Sequence, residues 1–309
     1  MINEILFRLG AREILLVDGA TGTMLMERGL APGECPESVN LAFHNIVTDV
    51  AREYFNAGAM IIETNTFGAS PLKLLQYGLA DKTEEINHKA VMAAREAVAS
   101  LAYVAGSVGP TGRTLKPHGD VDPTDVYRGY LRQIKALADA GVDVICVETM
   151  TDLNEATLAI EAAKTVARTL PVMATMTFDK TPRGYFTIMG VDIPTAVKGL
   201  TEAGASIIGS NCGHGSDQML EITKEFRRHT QLPLLIQPNA GVPELQGNTA
   251  VYPETPEYMA EMAKEILEAG ASLFGGCCGT TPAHIRAIRR TVNAFMDRQG
   301  PSSGWSGND

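Results

Sequence analysis

Apolar residues in this chain come in short unbroken runs, separated by longer stretches with a three-to-four-residue rhythm. Eight runs stand out, at residues 14–20, 60–66, 103–109, 142–149, 172–178, 206–212, 234–240 and 272–278. Most are apolar at consecutive positions rather than at every second one, which is the pattern of parallel strands buried on both faces. Helical periodicity lies between them, clearest at residues 84–100, 123–140, 153–169, 216–230, 256–269 and 282–296. Eight strand–helix units predict an α/β fold, a (β/α)8 TIM barrel forming a single domain over residues 1–297.

A weak internal repeat supports that count. Ala57-Gly58-Ala59, Ala140-Gly141-Val142, Ala203-Gly204-Ala205 and Ala269-Gly270-Ala271 stand just before the second, fourth, sixth and eighth runs. Each reads as a helix closed by a left-handed glycine that turns straight into a strand. Residues 1–9 read as a short amphipathic helix able to cover the lower end of the barrel. Residues 29–45 and 116–122 read as long loops, the first of them on the active face. Residues 298–309, rich in Gly, Ser and Pro towards the end, read as a disordered tail.

Composition narrows the function. With 309 residues and 45% hydrophobic content, the chain can bury a large core. A net charge of −10 without a basic stripe argues against a nucleic-acid partner. No run approaches the ~18 apolar residues that cross a membrane, so no membrane association is expected. The five cysteines are unevenly spaced and follow no secretory leader, which points to a reducing, cytoplasmic setting. No strand carries a glycine-rich dinucleotide fingerprint.

The candidate chemistry centres on Gly275-Gly276-Cys277-Cys278-Gly279-Thr280-Thr281-Pro282. Adjacent side chains of a regular strand point to opposite faces, so two neighbouring thiols converge only if the backbone bends. Glycine on both sides permits the bend, and Thr281-Pro282 signals a helix start just beyond. Cys212 ends another apolar run. Three thiolates meeting at strand ends would form a zinc site with one position open. A vicinal disulfide and plain packing are the alternatives; metal is favoured because flanking glycines would be wasted on packing. Cys146 reads as core and Cys35 as a loop thiol.

Other strand ends carry polar groups. Asp18-Gly19-Ala20-Thr21 can offer backbone amides to a carboxylate, or Asp18 can cap its own turn, and the residues leave both open. Glu148 follows four apolar residues, so its carboxylate needs a cation, either a substrate ammonium or an internal arginine. Asn239 is a possible fourth zinc donor, or an ordinary turn residue. His214 reads as solvent-facing, and His118 with Asp120 and Asp122 gives a weak hint of a second metal site.

Taken together, Asp18 to Thr23, Asn211-Cys212 and Gly275 to Gly279 resemble the homocysteine S-methyltransferase family, over residues of about 15 to 292. Thr64-Asn65-Thr66-Phe67-Gly68-Ala69, Gly109-Pro110-Thr111-Gly112 and Pro238-Asn239-Ala240-Gly241 are most similar to the homocysteine-binding module of cobalamin-dependent methionine synthases. The resemblance implies a (β/α)8 barrel with zinc on Cys212, Cys277 and Cys278. It implies substrate contacts from Asp18, Gly19, Ala20, Thr21, Asn65, Glu148 and Asn239, with Glu148 taking the ammonium group. It also implies methylation of homocysteine to methionine. The methyl group would come from methylcobalamin on a corrinoid protein or domain, since no Asp-x-His-x-x-Gly corrinoid signature occurs here. A small sulfonium donor such as S-methylmethionine, another thiol acceptor, and a non-enzymatic thiol sensor are the alternatives.

Overall fold

The computed structural model describes residues 3–246 and 249–299. The barrel strands are β1 (Leu15–Leu16), β2 (Ile61–Glu63), β3 (Tyr103–Val108), β4 (Val144–Met150), β5 (Val172–Met176), β6 (Ile207–Asn211), β7 (Leu234–Gln237) and β8 (Leu273–Phe274). All neighbouring strands are parallel, in the order β1-β8-β7-β6-β5-β4-β3-β2. The ring closes where Met60 N donates to Leu16 O at 2.7 Å and Asp18 N to Ile61 O at 3.1 Å. The main barrel helices are α1 (His44–Ala57), α2 (Thr83–Val98), α3 (Pro123–Asp139), α4 (Leu153–Val166), α5 (Ile193–Ala203), α6 (Ser216–His229), α7 (Pro256–Glu268) and α8 (Pro282–Gln299).

The unbroken apolar runs follow from burial on two sides. Leu15, Val17, Ile61, Ala105, Cys146, Met173, Ile207, Leu235 and Leu273 fill the barrel interior. Their neighbours of opposite parity, among them Leu16, Ile62, Val104, Ile145, Ala174, Ile208, Ile236 and Phe274, pack against the helical layer. Ile5 and Leu9, from the N-terminal helix Glu4–Gly10, join the interior cluster, as expected of a cover for the lower end. The four repeated glycines behave as the sequence indicates: Gly58, Gly141, Gly204 and Gly270 have φ of 107°, 93°, 103° and 111°. A side chain there would be strained, so these helix ends are specified locally.

Some expectations change. The segment 29–45 is not a plain loop, since Pro36–Ser38 forms a 3-10 turn and Val39–Ala42 a helical one. Residues 298 and 299 continue α8 instead of starting a tail, and the rest of the expected tail lies outside the described residues. An antiparallel hairpin, Asp179–Thr181 with Gly184–Phe186, follows β5 and has no counterpart among the eight runs. No described helix is long and apolar enough to cross a membrane.

Candidate active site

Three thiols meet at the carboxyl ends of β6 and β8. Cys212 follows β6 directly and has φ of 63°, left-handed backbone that a non-glycine residue seldom adopts. The rotation breaks strand alternation and presents the sulfur to the barrel mouth. Beyond β8, Gly279 has φ of 80°, and Gly276 lies so close to the Thr280 side chain that a Cβ would overlap it. Backbone bonds fix the turn: Cys277 N donates to Pro238 O at 2.7 Å, and Ala240 N donates to Cys278 O at 2.9 Å. The three Sγ atoms lie within 4.8 Å of one another, with Cys212 and Cys278 at 3.9 Å. All five cysteines are free, which removes the vicinal disulfide.

The cluster shares its protons unevenly. Hydrogen bonds from Cys212 and Cys277 hold Cys278 as a thiolate, down to about 3, against the effect of burial; Tyr252 adds a further bond. The Cys277 thiol, bonded to Cys212 and Cys278, is pushed well above its usual value.

Deeper in the barrel lies a floor of carboxylates. Glu148, 8% exposed at β4, accepts from Ser107 Oγ at 2.5 Å and from Asn211 Nδ2 at 3.2 Å. Asn211 also accepts from Thr149 N and Thr175 Oγ1, so one amide ties β4, β5 and β6 together beside Cys212. Asp18 does not cap its own turn; its Oδ2 accepts from Glu63 N at 3.0 Å, across the β1–β2 seam. Among the described residues, no lysine or arginine pairs with Asp18, Glu63 or Glu148, so the internal-arginine reading of Glu148 fails. Burial pushes all three carboxyls upward, and the charge of Glu63 adds to the shift of Asp18 and Glu148.

Thiols and carboxylates share one cavity of about 400 Å³, a size that suits a small molecule. Gly19 to Thr23 form one wall, and Met26, Phe67 and Tyr252 stand on it as larger side chains. The short helix Thr21–Glu27 starts at Ala20 without a side-chain cap. Asn65 lines the cavity, but its Nδ2 donates to Pro36 O and Asn40 Oδ1, bracing the segment that carries Glu37. Asn239 is 4% exposed and is not among the lining residues; its Oδ1 has no hydrogen-bond partner.

Several side chains depart from their sequence readings. His214 is largely shielded instead of solvent-facing, 16% exposed and with Nε2 3.3 Å from Asp179 Oδ1 on the hairpin. That contact lacks hydrogen-bond geometry. Cys35 is buried and donates to Glu37 Oε2 at 3.3 Å. His118, Asp120 and Asp122 do not converge: Asp120 pairs with Arg113 at 2.6 Å, and Asp122 caps α3. Glu63, Gln237 and Tyr252 all line the cavity without having been singled out. A signal existed for Glu63, a charged residue directly after Ile61-Ile62, as with Glu148; none marked Tyr252.

The family model described as "Homocysteine S-methyltransferase" matches residues 15–292. The chain is 34% identical over 299 residues to methionine synthase of Mycobacterium tuberculosis, covering 91% of this chain and 25% of that protein. It is 33% identical over 308 residues to methionine synthase of Mycobacterium leprae, covering 94% and 25%. It therefore spans about a quarter of the length of these curated relatives. Among solved structures, the metallated form of the homocysteine methyltransferase MmuM from Escherichia coli superposes with a TM-score of 0.76. The two are 25% identical, with 93% of this chain and 98% of that one covered.

Proposed function

Because the chain belongs to the homocysteine S-methyltransferase family, we propose that its cavity binds homocysteine and prepares the thiol for methylation to methionine. One observation carries this reading. A cluster of three thiols shares a single cavity with carboxylates that have no lysine or arginine partner among the described residues, so one molecule can present sulfur to the first and ammonium to the second.

Zinc would be held by Cys212, Cys277 and Cys278, soft donors suited to that ion. Asn239 supports the fit, because its buried Oδ1 has no partner and could serve as a fourth donor. Once bound, zinc lowers the pKa of a coordinated thiol, so that the sulfur is nucleophilic at neutral pH. The chain's own residues orient the substrate. Ser107 and Asn211 hold the Glu148 carboxylate in place to receive the ammonium group. The uncapped start of Thr21–Glu27, with Gly19 beside it, offers backbone amides to the substrate carboxylate, whereas the amide of Ala20 is held by Thr280 Oγ1 at 3.1 Å. Asn65 holds the wall at residues 36–40 in position. Met26, Phe67 and Tyr252 limit the water that reaches the sulfur.

The methyl donor in this reading is a methylcorrinoid, carried on a separate protein or on another part of a longer chain. Similarity to methionine synthases over a quarter of their length favours it. A second reading, a small sulfonium donor such as S-methylmethionine, draws on the match to MmuM, a homocysteine methyltransferase almost fully covered by this chain. Methionine formation from homocysteine, measured with methylcobalamin and then with S-methylmethionine, tests both. Turnover with methylcobalamin supports the first, and turnover with S-methylmethionine alone supports the second. Absence of both would reject the proposed activity.

A further inference from the structure

We infer, on the homocysteine reading proposed above, that Asn211 and Thr149 form a clasp that sets the length of amino-acid thiol the cavity accepts. Among the described residues, four non-glycines have left-handed backbone, and two of them, Thr149 at φ 58° and Cys212 at φ 63°, line the cavity. Thr149 is β-branched, which makes that conformation a genuine outlier. Each of the two follows directly on a member of one hydrogen-bonded pair, Thr149 on Glu148 and Cys212 on Asn211. Strained backbone persists only where its surroundings impose it, and such residues gather at functional sites.

One buried amide imposes the strain at Thr149. Asn211 Oδ1 accepts from Thr149 N at 2.8 Å and from Thr175 Oγ1 at 2.7 Å. Its Nδ2 donates to Thr149 Oγ1 at 2.8 Å and to Glu148 Oε2 at 3.2 Å. Two donors and two acceptor sites are all that a side-chain amide has, so Asn211 is fully used. It is 0% exposed, and water does not compete for these bonds. The same Nδ2 lies 3.9 Å from Cys277 Sγ, at the edge of the thiol cluster.

Strand β4 shows what the clasp does. Between the pairs Val147↔Ala174 and Met150↔Met176, β4 runs one residue longer than β5, a bulge of the kind that re-aims side chains beside active sites. Cys146 faces the barrel interior and Val147 the helices, so strict alternation would turn Thr149 outward and Met150 inward. Instead Thr149 lines the cavity and Met150 packs in the helical layer. Glu148 and Thr149 therefore both face the substrate.

The clasp joins the two ends of the seat. Through Glu148 it fixes where an ammonium group rests, and through the 211–212 peptide it fixes Cys212 and the sulfur end. Cysteine carries the same two groups as homocysteine with one methylene fewer between them. An apolar pocket separates such a pair by about 10–200-fold. Here the lining at Glu148 and Thr149 is polar, and a fixed span supplies the discrimination: the shorter thiol leaves its sulfur or its ammonium unmet, which is costly in a buried site.

Calorimetry on zinc-loaded protein gives the affinities for homocysteine and cysteine, with zinc content and melting temperature measured for each variant. Wild type should favour homocysteine by about tenfold or more. Thr149→Gly adopts φ of 58° without steric cost and gives up the Oγ1 bond. It should melt close to wild type and keep its zinc, while the homocysteine-to-cysteine ratio falls about tenfold. Thr149→Ser keeps the hydroxyl and should hold the wild-type ratio. An unchanged ratio in Thr149→Gly would overturn the inference and leave homocysteine binding intact. So would a lower melting temperature with both thiols weakened equally, which would make Thr149 part of the fold alone. Wild type that binds neither thiol would reject the homocysteine reading, and the clasp with it.

Discussion

Replacing Glu148 by Gln should move folding and binding in opposite directions. The carboxyl is 8% exposed and has no lysine or arginine partner among the described residues, so its pKa in the folded chain is raised by burial and by the charge of Glu63. An unfolded glutamate ionises from pH ~4.3 upward. Above that pH the unfolded chain gives up a proton that the folded chain retains. A stability deficit therefore opens as pH rises through ~4.3, and it levels off once pH passes the folded value. Gln carries no such deficit, so unliganded Glu148→Gln should melt at or above wild type at pH ~7 and gain nothing below pH ~4. Homocysteine binding should go the other way. A charge-assisted contact is worth ~1.5–3 kcal/mol, so affinity should fall by about tenfold to a hundredfold. Calorimetry and melting curves on one preparation give both quantities, with zinc content as the control. An amine-free thiol, 4-mercaptobutyrate, should bind wild type poorly and respond little to the change. Unchanged homocysteine affinity would refute the ammonium assignment. A large drop in melting temperature would show that Glu148 serves the fold.

Alanine at Cys212, Cys277 or Cys278 should abolish zinc binding and activity together while the far-UV circular dichroism stays that of the barrel, because the thiols lie outside the apolar clusters. Stoichiometric zinc in a Cys277→Ala, Cys278→Ala double variant would contradict the ligand assignment. Gly279→Ala forces a side chain onto φ of 80° and into the Tyr252 ring. It should cost about 1–3 kcal/mol and weaken zinc binding, measurable by denaturant unfolding and chelator competition; an unchanged midpoint would show that the turn relaxes freely.

The legible features were those set by neighbours along the chain. Two-sided burial made every barrel strand an apolar run, and the Ala-Gly pairs announced where four helices had to end. The Cys277-Cys278 pair was visible because glycines around adjacent thiols have little use in a regular strand. The short turns within residues 29–45 and the hairpin after β5 were missed, since they are brief and lack a strong apolar period. The setting of His214 was not legible either, since its ring lies beside Asp179 of that hairpin, a neighbour only in the folded chain.

Local backbone preference and periodic burial set the alternation of elements, their closure by glycine and the strand ends at which polar residues fall. Which ends face one another is a property of the closed ring. Asp18 and Glu63 are 45 residues apart and Glu63 and Gln237 are 174 apart, yet direct bonds join each pair. Cys212 meets Cys278 across 66 residues, through a left-handed turn at Cys212 that an apolar run does not announce. Ring closure places all eight strand ends around one axis, and the charge balance of the floor belongs to that ring rather than to any segment of the chain.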